Sequence, residues 1–236
     1  MTDSPPPATS KRTWQLSAGA LVAIIVGVLV AISVSSGNDV RGDGTNLAGV
    51  DGATALFSGI AQNGLVIGRP TAKVTIVEYL DLQCPRCAEA ASSVVPMVMT
   101  YFVRNGRAKL ELRPTDLIAG PDSRLGGRAL YAAGEQGHAG EFAEVMFANQ
   151  GDERSGWLND AIIQRVSEVL NLDTAALNAT RASAAADHVV DTVNETMVSN
   201  GYNGTPTFIV KGPNGQHEVQ NVTNMAEFAQ AINAVR

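Results

Sequence analysis

The fold class that the sequence predicts is α/β, with one sheet interrupted by an all-helical insertion and the whole preceded by a single membrane-crossing helix. Three observations predict it. Residues 74–113 carry a strand-helix-strand pattern. Strand patterning then stops for about ninety residues and returns only at Thr207. Far upstream, Leu16–Val34 is a run of 19 residues without a charge.

As a helix of ~1.5 Å rise, that run spans roughly 28 Å, close to the ~30 Å hydrocarbon core of a bilayer. Trp14 stands at its edge and Lys11 and Arg12 just before it, which predicts a cytoplasmic tail (1–15), an anchor (16–34) and everything after Val34 outside. A core helix would be neither apolar all round nor preceded by Ser4-Pro5-Pro6-Pro7. A cleaved signal stays open, because Ala31-Ile32-Ser33 puts small residues at suitable offsets, although the run exceeds the ~7–15 residues usual for such segments. No cysteine follows the run, which excludes a lipoprotein anchor. Either reading leaves the remainder in a compartment where disulfides persist. Beyond Val34 the chain has 15 basic and 22 acidic residues, a balance of −7. That excludes nucleic acid as a partner and leaves no basic patch for a membrane surface.

Residues 35–63, rich in Gly, Ser, Asp and Asn, read as a linker with at most a short helical turn at Thr54–Ala61. Val74–Leu82 reads as a central strand, apolar on both faces. From Pro85 to Phe102 the composition is helical, with a kink expected at Pro96, and Lys109–Arg113 alternates as a strand. Ser123–Asn149, Asn159–Leu170, Asp173–Arg181 and Ser183–Asn200 read as the helices of an insertion at about 115–200. Thr207–Val210, the turn Gly212-Pro213-Asn214-Gly215 and Gln216–Val222 read as a hairpin. A last helix opens at Asn224, with Glu227 at capping-box spacing. The four Asn-x-Ser/Thr matches, at Asn178, Asn194, Asn203 and Asn221, read as incidental.

The two cysteines of the chain, Cys84 and Cys87, stand as Cys84-Pro85-Arg86-Cys87 between the first strand and its helix. A pair so close makes a poor staple, since the ring it closes removes little chain entropy. At a helix start, with a cation between them, the same pair is suited to redox chemistry. Structural zinc would need further ligands, and His138, His188 and His217 are scattered. A Cu(I) relay through two thiolates and a redox-silent surface motif stay open.

The chain resembles the DsbA-like branch of the thioredoxin superfamily over roughly Gly64–Arg236. The resemblance rests on Ile67–Val74, on the block Glu78–Cys87, on Leu130–Gly137 with Phe142–Phe147, and on Gly204-Thr205-Pro206-Thr207-Phe208. It implies a thioredoxin-like fold (64–236) and thiol-disulfide oxidoreductase activity, most simply disulfide formation in exported proteins. It also implies a cis peptide before Pro206, a bond type almost confined to proline, and a Thr205 backbone that pairs with extended substrate. Glu78, six residues before Cys84, corresponds to the family's buried acid, and its strand parity with Val74 and Ile76 aims it into the apolar layer. Burial would raise its pKa and let it exchange protons with Cys87.

Two residues depart from the best-known oxidases of the family: Arg86 where they carry His, and Thr205 where they often carry Val. These leave a reductase or isomerase direction open. Cys84 is expected to be the exposed nucleophile, its thiolate favoured by the helix terminus and the charge of Arg86, and Cys87 the buried resolving thiol. The expected partners are exported proteins with free thiols and a membrane thiol oxidase that restores the disulfide. No cofactor other than the Cys84–Cys87 disulfide is expected. Nothing resembles the dimerisation extension of dedicated isomerases, so the oxidase reading leads, and the chain reads as a monomer.

Overall fold

The computed structural model describes Met1 and residues 47–236. The anchor or signal expected at Leu16–Val34 lies outside the described residues, and among those described no helix is long and apolar enough to cross a membrane. The sheet has six strands: β1 (Gln62–Asn63), β2 (Val66–Ile67), β3 (Thr75–Leu80), β4 (Lys109–Pro114), β5 (Thr207–Gly212) and β6 (Gly215–Val219), in the order β1-β2-β4-β3-β5-β6. β3 runs parallel to β4 and antiparallel to β5. Its central place explains why Ile76 to Leu80 are all buried. The β1–β2 hairpin was not anticipated. Two-residue strands carry no readable alternation, and the signal present is Gly64, at φ +57° the first residue of the turn Gly64-Leu65 that follows Asn63.

The sheet separates two apolar layers. On one face Val77, Tyr79 and Ile209 pack against Val193 and Met197 of the helix Ala184–Asn200. On the other, Ile76 and Leu80 join the main core with α1 (Val50–Phe57), α2 (Pro85–Val98) and the insertion. The insertion comprises α3 (Pro121–Glu135), α4 (Ala139–Ala148), α5 (Asp160–Val169), α6 (Thr174–Arg181) and α7 (Ala184–Asn200); α8 (Met225–Val235) closes the fold.

Four expectations are corrected. The single helix at Ser123–Asn149 is two, because Gly137 turns left-handed at φ +78° and ends the first. The helix at Pro85 continues through Pro96 and passes into a π turn, Met99–Val103, closed by Arg104 N–H on the Met99 carbonyl. Asn224 does cap α8, accepting from the Ala226 N–H, but Glu227 forms no reciprocal box. Its carboxylate instead accepts from the N–H groups of Gln220 (2.6 Å) and Asn221 (3.0 Å) and ties α8 to the end of β6.

The fourth correction moves a boundary. The linker expected to reach residue 63 is packed from its described start. Ala48 and Asn149 exchange hydrogen bonds of 2.9 and 3.0 Å, and Phe57 is 2 % exposed. Its ring fills the space that a side chain at residue 140 would need: a Cβ on Gly140 would lie 2.4 Å from it. Phe57→Ala is therefore expected to destabilise the protein by about 3 kcal/mol in chemical denaturation. An unaltered midpoint would restore the linker reading.

Candidate active site

β3 ends at Leu80 and the chain turns through Asp81-Leu82-Gln83 into α2. The Asp81 carboxylate, fully buried, holds that turn by accepting the N–H groups of Gln83 (2.9 Å) and Ile118 (2.8 Å). Burial pushes its pKa up, against these hydrogen bonds. Pro85 suits the first turn of α2, where an N–H has no partner to lose, and Cys84 takes the N-cap position with extended backbone angles.

Cys84 and Cys87 are free thiols. The Cys84 thiol donates to the Thr205 carbonyl at 3.3 Å, across 121 residues of chain. The Thr205–Pro206 peptide is cis, as the resemblance implied. The structure thus brings Cys84, Cys87, Thr205 and Pro206 together. It corrects one expectation, since Cys84 is not exposed: only 4 % of it is accessible, against none of Cys87. The Thr205 loop and the start of α2 cover it. Beside the pair opens a groove lined by Arg86, Ala90, Val94, Thr205, Pro206 and Val222.

The two thiols are electrostatically unequal. The Cys84 pKa is lowered to about 6, chiefly by the hydrogen bond from the Cys87 thiol and then by the Thr205 side-chain hydroxyl, with the N–H groups of Cys87 and Arg86 also favouring its thiolate. Partial burial acts the other way. Cys87 is raised well above the usual thiol range, first by burial and then by its coupling to Cys84.

Arg86 contributes through its backbone, not its charge. Its side chain is exposed, and its N–H is what favours the Cys84 thiolate. The expectation that the guanidinium sets the thiol pKa is therefore corrected. Any residue but proline supplies that N–H, so Arg86→Ala should leave the Cys84 titration, followed by thiolate ultraviolet absorbance, within about 0.5 unit of about 6. A rise of a full unit would restore the role of the charge.

Glu78 lies on the β3 face shared with Ile76 and Leu80 and is 2 % exposed. Burial raises its pKa to about 8. It shares a small apolar cavity with Glu144 of α4, a residue that sequence reasoning did not single out. Three others were also missed, all from the insertion. Gln150 donates to the carbonyls of Leu82 (2.8 Å) and Cys84 (3.2 Å), and Trp157 Nε1 (2.9 Å) and Arg154 N–H (3.4 Å) donate to Gln83 Oε1. They hold the active-site turn from the far side. No local motif marks them, because their partners are 66 to 74 residues away.

The fold, with two paired thiols at the start of a helix beside a cis-proline loop, is of the thioredoxin class. The family model described as Thioredoxin matches residues 61–234, and the chain belongs to that family. It is 33 % identical over 175 residues to the Na(+)/H(+) antiporter NhaA 3 of Salinispora tropica, covering 70 % of this chain and 25 % of that one. It is 27 % identical over 100 residues to disulfide bond formation protein D of Bacillus subtilis, covering 42 % and 45 %. The chain thus spans a quarter to under half the length of these relatives. The crystal structure of oxidised BdbD from Bacillus subtilis shares the fold at a TM-score of 0.63 and 20 % identity, covering 74 % of this chain and 95 % of that one.

Proposed function

We propose that this protein is a thiol-disulfide oxidoreductase that acts outside the cytoplasm and forms disulfides in exported proteins, with the Cys84–Cys87 disulfide as its redox group and no further cofactor. The observation that carries the reading is the inequality of the two thiols. A stabilised Cys84 thiolate exists only in the reduced enzyme, so it favours reduction of the enzyme disulfide and makes that disulfide an oxidant. A substrate thiolate attacks Cys84 Sγ, the Cys84–Cys87 bond breaks, and its electron pair leaves on Cys87. A second substrate thiol then attacks the substrate sulfur of the mixed disulfide and releases Cys84 as thiolate. The substrate gains the disulfide and the enzyme leaves as dithiol. A membrane thiol oxidase restores it.

The uncharged run Leu16–Val34, with Lys11 and Arg12 before it, supports a location anchored in the membrane with the catalytic domain outside. The Bacillus subtilis relative named for disulfide bond formation supports the direction. Thr205 beside the cis bond is what favours the second reading, a reductase or isomerase on the same scaffold.

Equilibration of the domain with glutathione buffers tests the direction. A potential less negative than about −200 mV is expected, and a value near the ~−270 mV of a thioredoxin-type reductant would overturn the oxidase reading. A reporter active only outside the cytoplasm, fused after Arg236, should work, with the protein recovered in membranes. Trimmed, soluble protein in the exported fraction would favour a cleaved signal.

A further inference from the structure

The cavity beneath the active site holds two carboxyls, and one of them also reaches the surface. Glu78 and Glu144 line an internal space of about 10 Å³, room for about one water molecule. Its other walls are apolar, among them Phe57, Ala91 and Phe147. Ala91 stands one helical turn beyond Cys87 on the same face of α2. The charge of Glu78 is felt at the Cys87 thiol.

Glu144 is half-buried and lines a second space, an open groove between α1 and α2. Gly49, Gly52 and Ala55 of α1 and its N-terminal turn keep that groove open by having little or no side chain. Among the described residues, Glu144 is the one titratable side chain that lines both spaces. The other charged group of the groove is Arg104, whose guanidinium is taken up by the carbonyls of Leu56 (2.7 Å) and Ser58 (3.2 Å).

We infer that Glu144 is a positioning residue that relays protons between buried Glu78 and solvent in the α1–α2 groove. The inference rests on the exchange mechanism proposed above and adds to it the path of the proton. When a substrate thiolate opens the Cys84–Cys87 bond, the pair of electrons left on Cys87 takes the proton of the Glu78 carboxyl. The Glu78 carboxylate is then reprotonated from Glu144, and Glu144 from groove water. On reoxidation the two electrons pass to the membrane thiol oxidase proposed above, and the Cys87 proton leaves by the reverse route. Burial raises the pKa of both carboxyls, Glu78 to about 8, and the charge of Glu78 adds to the rise at Glu144.

The test is the rate at which dithiothreitol reduces the Cys84–Cys87 disulfide, by stopped flow across pH 5 to 9, in full-length protein and in Glu144→Gln, Glu144→Asp and Glu78→Gln. Glu144→Gln is expected to slow the step about tenfold near neutral pH and flatten its pH profile, with the Cys84 thiolate titration unmoved. That is below the ~10²–10⁴ of a group acting directly, because Glu144 acts through Glu78. Glu144→Asp should recover most of the rate, which a purely structural role would not produce. A wild-type rate and profile in Glu144→Gln, with Glu78→Gln slow, would overturn the relay alone. Wild-type behaviour in Glu78→Gln as well would overturn Glu78 as the proton donor and the relay with it.

Discussion

Cys87→Ala is expected to accumulate as mixed disulfides with exported proteins, all of them through Cys84, while Cys84→Ala accumulates none. The asymmetry follows from position. Cys84 caps α2 beside the open groove, with its pKa lowered to about 6, so it meets substrate and leaves readily as thiolate. Cys87 is wholly buried and held protonated, so it can resolve an intermediate from within but not meet a protein thiol. Removing it leaves the mixed disulfide waiting for a second substrate thiol, and the trapped form should go from a trace to a dominant band on non-reducing gels. Because the adducts form when the Cys84 thiolate attacks a disulfide of an exported protein and displaces one of its sulfurs as thiolate, they should disappear in the Cys84→Ala, Cys87→Ala double variant. Equal trapping by the two single variants would mean that the nucleophile is misassigned.

Much of this site was legible because its chemistry is local. Cys84, Cys87 and Pro85 lie within four residues, and the strand that ends before them announces itself by continuous apolarity. Thr205 and Pro206 were placed by the family pattern. Their meeting with Cys84 spans 121 residues, which no local rule supplies. Strand parity sufficed to bury Glu78, since its neighbours Ile76 and Leu80 fill the same layer. What escaped had no periodic signal. Gln150, Arg154 and Trp157 act through contacts with a turn more than sixty residues earlier. Glu144 sits on a helix whose amphipathicity says only that it packs, not that α1 covers it incompletely. The 47–63 stretch misled because its Gly- and Ala-rich composition resembles a flexible tether. In the fold those small residues let α1 lie close to α4, with Phe57 filling the room above Gly140. Arg86 misled in another way. Its position was right, but a side chain at the second residue of a helix points outward, and only its N–H serves the thiolate.

Glu78→Gln is expected to stabilise the reduced protein at alkaline pH while leaving it nearly unchanged at pH 4.5. The sign follows from linkage. Glu78 titrates near 4.5 when unfolded and near about 8 when folded, because burial disfavours its charge. Between those values the folded state holds a proton that the unfolded state has released. The stability linked to neutral Glu78 is thus complete below 4.5 and is lost as pH rises through about 8. Each pH unit in the window costs about 1.4 kcal/mol, which adds up to on the order of 5 kcal/mol. Glutamine matches the shape and carries no titrating proton, so the loss should vanish from the variant. Urea unfolding under reducing conditions from pH 4.5 to 9 would show the two stability curves meeting at the acid end and diverging upward. Cys84, with its lowered pKa, tilts both curves the other way and cancels in the difference. Glu144 is raised as well and leaves a residual slope in Glu78→Gln, which Glu78→Gln, Glu144→Gln should flatten further. Parallel curves would mean that the Glu78 carboxylate is solvated in the folded state and that its burial carries no penalty. Divergence would show that the interior keeps an acid it would be more stable without, as expected of a group retained for proton transfer to Cys87.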